Sequence, residues 1–218
     1  MSQPWGIGMK EESKISKAVI KRMPRYRRYL KELKQKGVNK ISSGEFSRLT
    51  GCTASQIRQD FNNFGGFGQQ GYGYNVAALH NEISTILGLD QEYKIVVVGA
   101  GNLGQAITNY TYFYRSVFVI SGIFDVNPEL IGTKINDIEI LDYEKLEEHI
   151  KEHDIDIGII CTTKNNAQHV ADKLSAAGVR GIWNFAPVDI VVPENVALEN
   201  VHLSDSLHSL VYHIKKTK

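Results

Sequence analysis

Lys94-Ile95-Val96-Val97-Val98-Gly99-Ala100-Gly101-Asn102-Leu103-Gly104 is the stretch that decides the fold. The apolar, β-branched run reads as a buried parallel strand. Glycines follow it directly in the spacing G-x-G-x-x-G, and residues 105–110 continue as a helix. Strand, turn and helix in that order form the context in which such a loop cradles a pyrophosphate at a helix N-terminus. Gly99, Ala100, Gly101, Asn102, Leu103 and Gly104 are therefore candidate nucleotide-binding residues. Asp125 adds a second mark. It ends the apolar run Phe118-Val119-Ile120-Ser121-Gly122-Ile123-Phe124, about 20 residues past the glycines, where a ribose-binding acid is expected. The competing role for Asp125 is a turn acid ahead of Asn127-Pro128. Val126-Asn127-Pro128 holds no Arg or Lys for a 2′-phosphate, so NADH and NAD+ are preferred over their phosphorylated counterparts.

The α/β alternation continues past Asp125. Residues 144–151 and 165–177 read as helices, 156–161 and 179–185 as strands, which predicts a doubly wound parallel sheet of Rossmann type. Ligands bind at the carboxyl ends of such strands. That gathers the glycines, Asp125, Thr162-Thr163 and Ala186-Pro187 around one crevice. The chain has room after the glycines for little more than this one domain, over 93–203, and no separate catalytic domain fits. Individual catalysts are poor candidates. Tyr212-x-x-x-Lys216 imitates a reductase Tyr/Lys pair by chance. His149 and His153 share a helix face without the Glu of a metalloprotease helix, so no metal is expected. Cys161 ends a buried strand and reads as packing. A nucleotide site without a catalyst points to a sensor, not an enzyme.

Charge is divided unevenly along the chain. The 218 residues carry a formal net charge of +1, but residues 1–85 sum to +8 and residues 86–218 to −7. Such asymmetry predicts a polyanion partner for the first part. The two cysteines, Cys52 and Cys161, have no nearby partner, so a reducing cytoplasm is expected. There is no apolar run long enough to span a bilayer and no signal peptide, so no membrane is expected. Residues 1–14 lack periodicity and read as a disordered tail.

The basic part, residues 15–88, reads as a winged helix-turn-helix. Ser16 caps a short helix over 17–22, and Pro24 opens a second, running to about Lys36 with Tyr26, Tyr29, Leu30 and Leu33 on one face. Ser42-x-x-Glu45 is a capping box opening a helix to Thr50, Gly51 makes the turn, and Thr53-x-x-Gln56 opens a helix over 54–64. Ile57, Phe61 and Phe64 of that last helix face inward. Ser55, Gln56, Arg58, Gln59 and Asn62 face outward, and Arg, Asn and Gln are the residues that pair with base edges. Next, Gly65-Gly66-Phe67-Gly68-Gln69-Gln70-Gly71-Tyr72-Gly73-Tyr74-Asn75 reads as a tight hairpin, a wing carrying Gln69 and Gln70. Residues 76–87 close the domain and 88–92 link it onward. A last helix, within residues 204–218, has the apolar stripe Leu207, Leu210, Val211 and Ile214. Its periodicity suits packing on its own sheet as well as docking on a second subunit.

Together these residues resemble the bacterial redox-sensing transcriptional repressors called Rex. The likeness runs from about Ile15 to Ile214. It rests on Arg22-Met23-Pro24-x-Tyr26, Ser42-Ser43-x-Glu45, Gln56-Ile57-Arg58-x-Asp60, Asn63-Phe64-Gly65-Gly66-Phe67-Gly68, Gly71-Tyr72-Gly73-Tyr74, the glycines 99–104, Phe124-Asp125, Asn184-Phe185-Ala186-Pro187-Val188 and Glu199-Asn200-Val201. The resemblance implies a homodimer on double-stranded operator DNA, with the last helix exchanged between subunits and NADH opposing DNA binding in competition with NAD+. It implies that Tyr110 lies near the nicotinamide and that Arg28 locks one domain arrangement through an acid of the partner. This chain departs from the family pattern at Gln59 and Gln70, where many members are basic. It departs at His202, where many carry that acid, which leaves Asp205 as its substitute, and at Thr162-Thr163, which stand where the family has a Val-Pro pair near the nicotinamide and make that edge of the pocket polar. The competing readings are a small NAD(P)-dependent oxidoreductase with a helical dimerisation domain, and a module for another nucleotide such as coenzyme A.

Overall fold

The computed structural model describes residues 15–64, 68–69, 73–111 and 117–217. The expected tail over 1–14, the expected wing tip around Gln70 and residues 112–116 lie outside the described residues. The chain divides into two compact units, Met1–Asp90 and Gln91–Lys218.

In the first unit, α1 (Lys17–Gln35) is one continuous helix, with Pro24 inside it. The two-helix reading of this segment is corrected here. Proline removes one hydrogen bond to the carbonyl four residues back, that of Ile20, an exposed residue where water can serve. Against that loss, Val19, Met23, Tyr26 and Leu30 form an unbroken buried stripe through the proline. Burying such side chains contributes about 1.5–3 kcal/mol each, enough to carry the helix across it. Then α2 (Ser43–Thr50) starts at a complete capping box, Ser42 with Glu45, and ends at Gly51 with φ +67°. After it, α3 (Ala54–Asn62) is capped by the Thr53 hydroxyl, which accepts from the Gln56 N–H. Asn75 caps α4 (Val76–Ile86) in the same way.

A three-stranded antiparallel sheet completes the unit: β1 (Lys40–Ile41), β2 (Gly68–Gln69) and β3 (Gly73–Asn75), in the order β1-β3-β2. The predicted wing is therefore there, and it is anchored by β1, a strand too short to announce itself in the sequence. Tyr26, Phe46, Phe61 and Tyr74 pack ring to ring behind α3.

The second unit is built on a seven-stranded sheet in the order β10-β9-β8-β4-β5-β7-β6. Its strands are β4 (Tyr93–Val98), β5 (Phe118–Asp125), β6 (Lys134–Ile135), β7 (Ile138–Asp142), β8 (Ile157–Ile160), β9 (Gly181–Asn184) and β10 (Ala197–Asn200). All pairings are parallel except β6 with β7. The helices are α5 (Asn102–Thr111), α6 (Leu146–His153), α7 (Ala167–Ala177) and α8 (Leu203–Lys216). The doubly wound sheet is as expected. The β6–β7 hairpin and β10 are additions. The hairpin turns on Asn136 and Asp137, both with positive φ, a backbone state these two residue types tolerate.

No residue of α8 is buried. Leu207, Leu210, Val211 and Ile214 are 47–59% exposed, so the stripe does not pack on its own sheet. No helix among the described residues is long and apolar enough to cross a membrane.

Candidate nucleotide and nucleic-acid sites

The central strand β4 has β5 on one side and β8 on the other. The chain passes from β4 to β5 on one side and later crosses from β7 to β8 on the other, and a crevice opens at the carboxyl end of β4, where the winding reverses. There the three glycines differ in what surrounds them. Gly99 has φ +102°, and a Cβ on it would stand 2.7 Å from the Cys161 carbonyl oxygen. A Cβ on Gly104 would stand 1.8 Å from the Gly99 oxygen, so α5 crosses the loop at a distance only glycine allows. Gly101 has nothing within 4 Å. One glycine makes the turn, one lets the helix close on the strand, and one leaves open space beside the N–H groups of the first turn of α5. Such a cradle fits a pyrophosphate.

Asp125 closes the cradle from β5. Its Oδ2 accepts from the Ala100 N–H at 2.6 Å, and its Oδ1 from the Asn127 N–H at 2.8 Å. Both sequence roles are thus compatible: the carboxylate organises its own turn, braces the glycine loop and keeps lone pairs for hydroxyls. Beside it lies a cavity of about 270 Å³ lined by Val98, Gly99, Phe124, Asp125, Val126, Tyr143, Glu144, Thr162, Asn166, His169 and Val170. The side-chain oxygens of Tyr143 and Thr162 are buried there with no hydrogen-bond partner. Leaving such a group unpaired costs about 1–3 kcal/mol, so both oxygens are open to a hydrogen bond from water or a ligand. Burial, followed by the Glu144 and Glu147 charges, pushes the Tyr143 phenol up, so it stays a donor.

Of the expected residues, the structure brings Gly99, Asp125 and Thr162 together. Thr163 is exposed and does not line the cavity. Leu103 turns into the core beside Ile95 and Val97, and Ala100 is fully buried. The Ala100 side chain is therefore closed to a ligand, while Leu103 is partly buried. Tyr110 is 54% exposed near the end of α5 and is not among the cavity residues. Tyr143 and Glu144 were not foreseen, because they follow β7, a strand missed in the sequence. Asn166, His169 and Val170, at the start of the helix after β8, were not foreseen as site residues either, although their i, i+3, i+4 spacing is a legible helix face.

Burial pushes the Cys161 thiol up to about 12, which suits packing and not nucleophilic attack. His149 stacks on His153 with ring centroids 4.1 Å apart and meets the Ser121 hydroxyl at 2.9 Å. Its imidazole is held below its ordinary range, by burial first and the second histidine next.

In the first unit, Ser55, Gln56, Arg58, Gln59 and Asn62 are all exposed on α3, opposite the buried Ile57, Asp60 and Phe61. Arg58 donates through Nη1 to the Ser43 hydroxyl at 3.0 Å, linking the helix to the start of α2. Gln69 lies in β2. Arg28 is exposed on α1, its guanidinium 5.5 Å from the Tyr29 ring centre. His202, just ahead of α8, meets Asp189 of its own chain at 2.9 Å. That hydrogen bond raises its imidazole above the ordinary value. Asp205 is exposed on the first turn of α8.

Comparisons with known proteins bear on both units. Residues 14–62 match the model of a putative DNA-binding protein N-terminus, and residues 90–188 that of a CoA binding domain. The redox-sensing transcriptional repressor Rex of Thermoanaerobacter pseudethanolicus is 57% identical over 208 residues, 95% of this chain and 93% of that protein. The crystal structure of RSP in complex with β-NAD+ and operator DNA is 57% identical with a TM-score of 0.88, covering 94% of each chain. That of RSP with β-NADH is 54% identical with a TM-score of 0.87, covering 94% of this chain and 96% of the other. These relatives are repressors, which sets the oxidoreductase reading aside. At such identity over nearly the whole length, this chain belongs to the Rex family of redox-sensing transcriptional repressors.

Proposed function

We propose that this protein is a homodimeric repressor, working in the cytoplasm, that holds operator DNA with its first unit and leaves it when NADH binds its second. The observation that carries the reading is the occurrence, in one chain, of an outward-facing Arg/Gln/Asn helix and an open glycine cradle beside a carboxylate. Residues 15–88 would form the DNA-binding domain, 93–203 the nucleotide domain and 204–218 the dimerisation segment.

NADH and NAD+ differ in a hydride and one positive charge on the nicotinamide, and that difference is the signal. The amides from Gly101 to Gly104 would hold the pyrophosphate, and Asp125 the adenosine ribose. Tyr143 and Thr162 would give their unpaired oxygens to the adenosine end. Tyr110 would meet the nicotinamide, with Thr163 at that edge. Coenzyme A fits less well, because its ribose carries a phosphate that Asp125 and Glu144 would both repel. An Asp125→Ala variant is expected to bind NADH roughly 10- to 150-fold more weakly, from the loss of charge-assisted bonds of about 1.5–3 kcal/mol. Calorimetry showing native affinity would remove Asp125 from the site.

On the DNA side, Arg58, Gln59, Asn62, Ser55 and Gln56 would enter the major groove, with Gln69 and Gln70 of the wing on the flank. Arg58→Ala should cost about 1–3 kcal/mol if it reads a base. Equal binding of native and variant to the same operator across a salt series would sink that assignment. With His202 bonded to Asp189 of its own chain, Asp205 would take the acid's part opposite Arg28 in the interdomain lock that the family resemblance implies.

A ligand shifts two arrangements only by its differential affinity for them, so NADH must prefer the DNA-free one. Operator DNA must then weaken NADH binding by the same factor. The decisive experiment is a gel-shift titration on an A/T-rich palindrome with NADH and NAD+ added in turn. Release by NADH and its reversal by NAD+ are expected. DNA binding indifferent to both would overturn the reading.

A further inference from the structure

Asp60 is a carboxylate in the middle of α3, 2% exposed, and on the face opposite the residues that meet DNA. It accepts from Arg22 through both oxygens, Nε to Oδ2 and Nη2 to Oδ1, at 2.7 Å each. The Tyr26 hydroxyl, itself fully buried, donates to Oδ2 at 2.8 Å. Arg22 and Tyr26 stand four residues apart on α1, hence on one face of it. Two segments far apart in sequence thus meet in one forked ion pair.

Packing alone does not call for this arrangement. Burying charges costs desolvation energy, and an apolar side chain of similar size often serves stability as well or better. A fork does what an apolar contact does not. The planar guanidinium donates to a carboxylate in one orientation, whereas the rings of Phe46 and Phe61 around Tyr26 tolerate some sliding and rotation. The scale matters for reading DNA. Side-chain tips lie about 5–6 Å from a helix axis. A rotation of about 20° would carry them through about 2 Å, more than a hydrogen bond to a base edge tolerates.

We infer that the Arg22–Asp60–Tyr26 cluster is a positioning device for sequence recognition, setting the rotation and axial position of α3 so that Arg58, Gln59 and Asn62 meet base edges. This deepens the proposed DNA reading and rests on it. Asp60 and Tyr26 are buried out of reach of DNA, and the Arg22 guanidinium is committed to Asp60. Their loss should therefore reduce discrimination between sequences and leave the salt-dependent grip on phosphates unchanged.

The test uses the full-length protein and a duplex it selects from a randomised pool, compared with a scrambled duplex of equal length. Binding is followed by fluorescence anisotropy over a salt series, well below each variant's melting temperature. Arg22→Lys keeps the charge and removes the fork, Asp60→Asn keeps the shape and removes the charge, and Tyr26→Phe removes one hydrogen bond. Arg22→Lys and Asp60→Asn are expected to lose about tenfold or more on the selected duplex, the worth of a well-placed base contact. Tyr26→Phe should lose less. Affinity for the scrambled duplex, its salt slope and NADH binding should stay native. A purely structural role would lower the melting temperature and weaken both duplexes together, and that outcome overturns the inference. So does an unchanged ratio. Should Asp60→Asn fail to fold, Arg22→Lys decides alone. Failure of the native protein to prefer any duplex would instead overturn the parent reading, and shows before a variant is made.

Discussion

A Gly101→Ala variant is expected to fold like the native chain and to lose NADH binding by about 100-fold or more. The added Cβ meets nothing within 4 Å, and φ at this position is not in the left-handed range. Alanine therefore strains nothing, and restricting the unfolded chain gives a small gain in stability where it is compatible. The open space it fills is where the pyrophosphate must approach the amides of α5. Losing two charge-assisted hydrogen bonds at about 1.5–3 kcal/mol each accounts for the expected fall. Neighbouring glycines give the contrast. At Gly104 a Cβ would sit 1.8 Å from the Gly99 oxygen, so Gly104→Ala should lose the fold of the loop along with the ligand. Calorimetry with NADH and a melting curve for each variant separate the cases. Native NADH affinity in Gly101→Ala would move the pyrophosphate away from the glycines.

Deleting residues 204–218 should convert a dimer into a monomer and uncouple NADH from DNA release. The segment carries most of α8, which contributes no buried residue to its own unit. Its removal takes nothing from the core, so the nucleotide domain should keep its melting temperature and its NADH affinity. What it takes is the exposed stripe Leu207, Leu210, Val211 and Ile214, an apolar face that a second copy would cover in an isologous contact. Without it, the two recognition helices are no longer held at the spacing a palindrome requires, and affinity should fall to that of a single half-site. Light scattering gives the mass and anisotropy on the palindrome gives the NADH response. A stable dimer that still releases DNA with NADH would show that the exchange does not operate here.

What the sequence determined was whatever depends on neighbours within about one helical turn. Tandem N-caps at Ser42 and Thr53, the Gly51 turn, the two faces of α3 and the glycine spacing after β4 were all legible. Their hydrogen bonds close over three or four residues, and their burial follows a fixed period. Asp125 was legible as well, because its place at a strand end follows from the apolar run before it.

Only the tertiary structure decided what depends on partners far along the chain. Whether Pro24 divides α1 turned on the buried stripe of Met23, Tyr26 and Leu30, an energy that a local reading of proline does not contain. The short strand β1 exists because β3 lies beside it, with Lys40 opposite Asn75. Tyr143 and Glu144 reach the cavity only because β7 pairs with β5, setting Asp142 beside Asp125. The partner of Asp60 is Arg22, 38 residues earlier, and only the folded chain brings the two together. Each of these rests on long-range contacts whose closure entropy is met by burial elsewhere in the fold, and no window of sequence contains both terms.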